Sequence, residues 1–301
     1  MLEILLIAGS SAGAGGPAFA LFAGGQVGGA EVGTSVRYEF STGAVTPSTN
    51  IGQARRFFSG AGNTTLGILQ GGYSSINYGD KYTFSNHVVV RATNLVAGRS
   101  YNAATSTKTQ AFWFGGWIGS GNGTLTIDRY TYATDTAANA ANLNVARYGA
   151  CVMGGASRAV IKGGYGSTFI TNVESYSMST GAQGSAAALP AGKAYACGTN
   201  TVATGYMFGG LISTGGVAAV VKHNHSNDAV TDGTNLTAAI YQSTAAGDMD
   251  MAIIAGGNSG GAITFANKYT YSDDVCVTTT VLAATSMAMA GCSSTPGNIT
   301  A

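Results

Sequence analysis

The sequence predicts an all-β ring of six four-stranded blades, a β-propeller with about 46 residues per blade, and two regularities carry the prediction. Paired glycines return along the whole chain, at Gly24-Gly25, Gly71-Gly72, Gly115-Gly116, Gly163-Gly164, Gly209-Gly210 and Gly256-Gly257, with intervals of 47, 44, 48, 46 and 47 residues. Between them stand short strand-like segments in a fixed order. The repeats continue without a linker, so residues 1–301 read as one domain.

Each unit can be justified element by element. The first strand holds small residues, as in Gly149-Ala150-Cys151-Val152-Met153, because innermost strands crowd near an axis. The second is apolar, as in Ala111-Phe112-Trp113-Phe114, and should pack between sheets. It ends in the glycine pair, where the backbone can turn at positive φ or pass close to another segment. The third places aromatic residues two apart: Tyr38 and Phe40, Tyr82 and Phe84, Tyr130 and Tyr132, Tyr269 and Tyr271. Period-two spacing puts both rings on one strand face, expected to pack against the next blade. A polar fourth strand completes the unit. His223 and His225 fill the two ring positions of their unit, with no third metal ligand implied, while His87 has no evident partner.

The blade count rests on six glycine pairs and six third strands. A seventh small-residue segment, Thr285-Ser286-Met287-Ala288-Met289-Ala290-Gly291, leaves seven blades as the alternative. It could close the ring across the termini, displace the N-terminal segment or begin a further blade. Closure matters because it protects strand edges. The opening Met1-Leu2-Glu3-Ile4-Leu5-Leu6-Ile7 reads as a strand, and no stretch is long enough to span a membrane.

Composition narrows function. With 14 Lys and Arg against 13 Asp and Glu, the formal charge is +1, too little to gather nucleic acid or an anionic membrane surface. Cys151 and Cys197 each lie twelve residues before their glycine pairs and read, like Cys276 and Cys292, as small thiols rather than a disulfide framework or a zinc site. Bases recur as well: Arg55, Arg99, Arg147 and Lys193 each precede a glycine pair by sixteen residues, with Ala8 and Ile240 in the other two units. Recurrence points to a structural role, the long side chain satisfying carbonyls near the entry to the inner strand. The repeat positions Gly71, Gly72, Gly115, Gly116, Gly163 and Gly164 are structural on the same argument.

No nucleophile elbow, phosphate-binding loop or His-Glu-x-x-His motif appears. Asp248, Asp250, Asp273 and Asp274 read as turn or surface residues. The expectation is a protein that is not an enzyme and holds no cofactor or metal. One loop departs from the repeat, Tyr73-Ser74-Ser75-Ile76-Asn77-Tyr78, and Trp117 stands in the corresponding loop of the following unit. Rings outside the strand slots can stack on sugar faces, which makes Tyr73, Tyr78, Trp117 and Asn77 the candidate glycan-binding residues.

The small-residue strand, the Gly-Gly strand and the Tyr strand together resemble kelch-type β-propellers over nearly the whole chain, without that family's Trp between the Tyr strand and the next repeat. Gly52-Gln53-Ala54-Arg55-Arg56-Phe57, Ala61-Gly62-Asn63-Thr64-Thr65-Leu66-Gly67-Ile68 and Asp128-Arg129-Tyr130-Thr131-Tyr132 resemble repeats of Gly-, Ala- and Thr-rich proteins of tailed bacteriophages. That resemblance implies a structural protein of the virion, assembled in the host cytoplasm: a tail, neck or head decoration or fibre. Its partners would be other virion proteins or copies of itself. The alternative it implies is an adhesin that binds a host-surface glycan.

Overall fold

A computed structural model describes residues 5–9, 18–263 and 265–279. Six four-stranded antiparallel sheets follow one another in the chain. Blade 1 comprises Leu5–Gly9, Phe19–Val27, Ala30–Glu39 and Val45–Ser48. Blade 2 comprises Ser59–Gly62, Leu66–Gln70, Gly79–Thr83 and Val88–Ala92. Blade 3 comprises Ala103–Ser106, Gln110–Phe114, Thr124–Thr131 and Thr136–Arg147. Blade 4 comprises Cys151–Gly154, Arg158–Lys162, Val173–Ser177 and Gln183–Ala186. Blade 5 comprises Cys197–Asn200, Thr204–Phe208, Val220–Asn224 and Val230–Gly233, with a small hairpin of Leu211–Ile212 and Gly215–Gly216 in its second loop. Blade 6 comprises Thr244–Gly247, Met251–Ala255, Ala266–Thr270 and Val275–Thr279.

The molecule is a six-bladed β-propeller. Each innermost strand lies beside those of its two neighbours, and Leu5–Gly9 lies beside both Ser59–Gly62 and Thr244–Gly247. The ring therefore closes on the N-terminal strand, which pairs in register with Phe19–Ala23. Segment 285–291, the surplus strand of the sequence, lies outside the described residues. In blades 2 to 6 the innermost strands are buried at every position, so small side chains are required where six strands converge.

The glycine pairs join one blade to the next. Gly163 has φ +62°, and a Cβ there would stand 2.1 Å from the carbonyl oxygen of Lys193, in the segment entering blade 5. Gly164 N–H donates to that same oxygen at 2.8 Å. The same bond runs from Gly25 to Arg55, Gly72 to Arg99, Gly116 to Arg147 and Gly210 to Ile240. Glycine is needed for two reasons at once: the left-handed backbone and the passing carbonyl.

Beneath that carbonyl, the recurrent arginine turns into the blade it introduces. Arg55 meets Asp80 at 2.5 Å, and Arg99 meets Asp128 and Arg147 meets Glu174 in the same way, all fully or almost fully buried. Arg147 also donates to the carbonyls of Gly163 (2.7 Å), Asn172 (3.1 Å) and Val145 (3.2 Å). The acids in turn accept from the entering segment: Glu174 from the N–H groups of Asn144 and Val145, Asp80 from Gly52, Asp128 from Val96. A buried charge is tolerable only when paired and hydrogen-bonded this fully.

The aromatic third strands pack against the preceding blade rather than the following one. Tyr82 and Phe84 meet Phe19 and Leu21 of blade 1, Tyr130 packs with Ile68 of blade 2, and Tyr176 lies 5.7 Å from both Phe112 and Phe114 of blade 3. Alternation places rings on a common face, but sheet twist decides which neighbour that face meets. The tyrosine hydroxyls have a use as well. Tyr130 donates to Asp135 and Tyr269 to Asp274, turn residues held at φ 50° and 57°. Lys81 of blade 2 and Lys222 of blade 5 reach those same carboxylates from the preceding blades. His87 belongs to this set, with Nδ1 2.8 Å from Tyr82 Oη while its Nε2 faces Arg37 at 2.7 Å, so it has partners the sequence did not suggest.

Two glycines separate the causes. Gly163→Ala should cost about 2–4 kcal/mol, since it meets both strain and a backbone oxygen. Gly121→Ala, at φ +70° with nothing within 4 Å of the added carbon, should cost only about 1 kcal/mol. Urea unfolding of both variants measures the difference, and equal losses would contradict the carbonyl contact.

Candidate functional site

Blade order brings one position of each of blades 2 to 6 to the mouth of the central axis. It lies fourteen residues before the glycine pair and is occupied by Phe57, Tyr101, Gly149, Tyr195 and Gln242, whose φ values are 58°, 55°, 61°, 55° and 55°. The equivalent residue of blade 1, Ser10, lies outside the described residues. These five are linked head to tail. Tyr101 N–H donates to Phe57 O at 2.8 Å, Gly149 to Tyr101 at 2.8 Å, Tyr195 to Gly149 at 2.7 Å and Gln242 to Tyr195 at 2.9 Å. Four non-glycine residues in the left-handed region represent stored strain of about 1 kcal/mol or more each, held in place by this string of bonds.

The strained backbone gathers rings. Phe57 and Tyr101 stack at 4.2 Å between centroids, and Tyr101 lies 5.8 Å from both Tyr148 and Tyr195. Tyr148 continues to Tyr165 at 5.5 Å, and Tyr165 meets Phe169 edge-on at 5.2 Å. At the other end Tyr73 packs edge-on to Phe57, with the Arg56 guanidinium over both rings at 4.2 and 4.8 Å. Seven rings thus form one connected crown, and Tyr73 is its most open member at 43 % exposure. Burial and the neighbouring phenols push the Tyr195 hydroxyl well above the ordinary tyrosine value, and burial raises that of Tyr148. Both phenols are therefore neutral donors or acceptors across the physiological range.

The four candidate residues of the sequence do not form one patch. Tyr73 belongs to the crown. Trp117 occupies the corresponding position one blade on, where its backbone bridges Ser100 and accepts from Ser75 Oγ at 3.1 Å, its ring half-buried. Tyr78 instead packs against Arg55 (5.1 Å) and Arg91 (4.4 Å), and Asn77 accepts from Asn94. A short 3-10 turn over Tyr73–Ser75, with Ser74 at φ 62°, separates the two tyrosines. Arg55, Arg99, Arg147 and Lys193 are all buried beneath this face, the first three fixed by their acids. Sequence reasoning missed Phe57, Tyr101, Tyr148, Tyr165, Phe169 and Tyr195 as a group. The six share no one repeat position, and the position of Phe57, Tyr101 and Tyr195 also holds Gly149 and Gln242, so no residue type marks it.

Among the described residues, no group of three or more His, Cys, Asp and Glu is placed to hold a metal ion. Asp80, Asp128 and Glu174 are the acids buried in the blades, and each is neutralised by its arginine. What the crown face offers a ligand is a set of ring faces and edges, phenolic hydroxyls and a single guanidinium at Arg56.

No family model matches the chain, and no curated protein matches it. This corrects the expectation of a virion protein, whether tail fibre, decoration or host-attachment component of a bacteriophage. Neither comparison returns a particle protein, and the motif that suggested one is used up by blade geometry. Arg55 is paired with Asp80 and Asp128 with Arg99, Ala61 is innermost-strand packing, and Tyr130 and Tyr132 are interblade rings. The β-propeller is what the repeat encodes.

A raised tyrosine pKa makes the folded state bind more protons than the unfolded chain above about pH 10, so stability must fall as pH rises beyond that value. Several tyrosines contribute, including Tyr130, Tyr132 and Tyr271. For the crown the check is specific: phenolate absorbance of the folded protein and of Tyr195→Phe should coincide up to about pH 11. A difference of one phenol near pH 10 would show that Tyr195 titrates freely.

Proposed function

We propose that the protein is a non-catalytic recognition module whose crown face binds carbohydrate. The crown itself supports this most directly: seven aromatic rings collected on one face around the axis, on a backbone strained into place, with hydroxyl groups among them. Sugar rings present apolar C–H faces with hydroxyls at their rims, and aromatic faces flanked by phenols match both. The near-neutral composition fits a neutral ligand better than a nucleic acid or an anionic surface. Rigidity also favours binding, since side chains locked by their neighbours lose little freedom on contact. Catalysis finds less support, because the buried carboxylates of blades 2 to 4 are tied to arginines.

A glycan array with the purified protein tests the reading, followed by calorimetry on the best ligand. Replacing Tyr73 by Ala should weaken binding about tenfold, a loss of about 1.4 kcal/mol. Trp117→Ala should weaken it to a similar degree, whereas Tyr78→Ala, which faces Arg55 and Arg91, should leave affinity within about twofold. Absence of any glycan binding, or affinity unchanged in Tyr73→Ala, would overturn the assignment.

A further inference from the structure

One seam of the propeller is unlike the others. Where blade 3 meets blade 4, Phe112 and Phe114 face Tyr176, and where blade 5 meets blade 6, Tyr206 and Phe208 face Tyr269 and Tyr271. At the same positions between blades 4 and 5 stand Val160 and Lys162 on one side, with Arg158 two residues before Val160, and His223 and His225 on the other. Lys162 is fully buried, and its Nζ has no hydrogen-bond partner. Both ring nitrogens of His223, itself fully buried, and both of His225 are shielded from solvent and also lack one. Asp228 is the carboxylate beside them, and Arg158 holds it with two bonds of 2.7 and 3.1 Å. Its Oδ1 lies 3.0 Å from His223 Nε2, near enough to interact but misaligned for a hydrogen bond.

Charge makes the seam more unusual. The base that introduces blade 5 is Lys193, also buried, but the third-strand position that holds Asp80, Asp128 or Glu174 in blades 2 to 4 is here Val221. A second ammonium thus enters the same region without the usual carboxylate, close enough to Lys162 to oppose its protonation. Among the described residues Asp228, already held by Arg158, is the one carboxylate beside a buried ammonium and two buried imidazoles. Burying so many donors with so little to accept from them costs several kcal/mol, so the group calls for an unseen partner. Every group left over is a potential donor, and the excess charge is positive. A cavity of about 270 Å3, lined by Ser157, Arg158, Asn224, His225 and Ser226, leads to His225 from the face opposite the crown.

We propose that the seam between blades 4 and 5 is a binding site for a small inorganic anion, of halide or phosphate class, held by Lys162, His223 and His225. The anion supplies the acceptor that Lys162 lacks, and it takes the place of the ring packing seen between blades 3 and 4 and between blades 5 and 6. Its occupancy is coupled to pH. Both imidazoles titrate low in the folded protein, at about 4, through burial and the neighbouring charges of Lys162 and Arg158, with Asp228 opposing. Without the anion, stability is lost as pH falls from about 6.5 toward 4, because the unfolded chain takes up those protons first. A bound anion favours the protonated rings and reduces that loss.

The test compares melting of the intact protein in sodium bromide and in sodium phosphate with sodium gluconate at equal ionic strength, at pH 7.5 and pH 5. The wild type should melt several degrees higher in bromide or phosphate, with a larger shift at pH 5. Lys162→Met should remove that shift. If Lys162→Met fails to fold, the double variant His223→Tyr with His225→Tyr, which restores the ring pair of blade 6, should fold and lose the anion response. A bromide-soaked crystal should give an anomalous peak between Lys162 and the two histidines. An equal shift in the wild type and either variant, or no shift and no bromide peak in the seam, would overturn the proposal.

Discussion

Everything in this fold passes through one backbone contact, the hydrogen bond from the second glycine of the first five pairs to the carbonyl that introduces the next blade. The sheets themselves are ordinary four-stranded antiparallel units, and each is complete in its own hydrogen bonds. What makes a ring of them is the junction. There the first glycine lets the chain pass at van der Waals contact, and the second donates to the passing carbonyl. Because that carbonyl belongs to the residue whose side chain enters the blade, the junction also sets where the buried arginines of blades 2 to 4 can reach. Two residues further on, the same segment forms the left-handed step that carries the crown. Interblade junction, buried ion pair and aromatic mouth are three consequences of one path of the chain.

Much of this was written in the sequence, and the limits are physical. The interval between glycine pairs gave blade number and blade length, because each unit needs its left-handed turn at the same place. The acids at Asp80, Asp128 and Glu174 were also legible. Each stands two residues before the first aromatic position, and units whose base position is Ala8, Lys193 or Ile240 have Val36, Val221 and Asn267 there instead. Arginine and acid therefore appear together or not at all within the one chain, and Lys193 is the base left without an acid. The side on which the aromatic rings pack was not legible, since alternation fixes a common face and not its neighbour.

The crown was hidden for a different reason. Its central position holds Phe, Tyr, Gly, Tyr and Gln, residue types with nothing in common except the backbone conformation they are made to adopt. Only glycine announces positive φ by its identity, so strain at Phe57, Tyr101 and Tyr195 is visible in coordinates alone. The loop from Tyr73 to Tyr78 shows the same limit on a smaller scale. Two tyrosines five residues apart look like one aromatic patch, yet the turn at Ser74 sends one to Arg56 and the other to Arg91. The seam of blades 4 and 5 was half legible: His223 and His225 were correctly seen to take the ring positions, but not that Lys162 and Arg158 would face them.

Amide hydrogen exchange in the native state measures the central claim most directly. The amides of Gly72, Gly116, Gly164 and Gly210 lie in loop positions that would ordinarily exchange by local opening. If each is the bond that joins its blade to the next, all four should exchange only with global unfolding, at the free energy shown by innermost-strand amides such as Val152. Exchange of these glycines at free energies far below that of Val152, while the strands remain protected, would contradict the account.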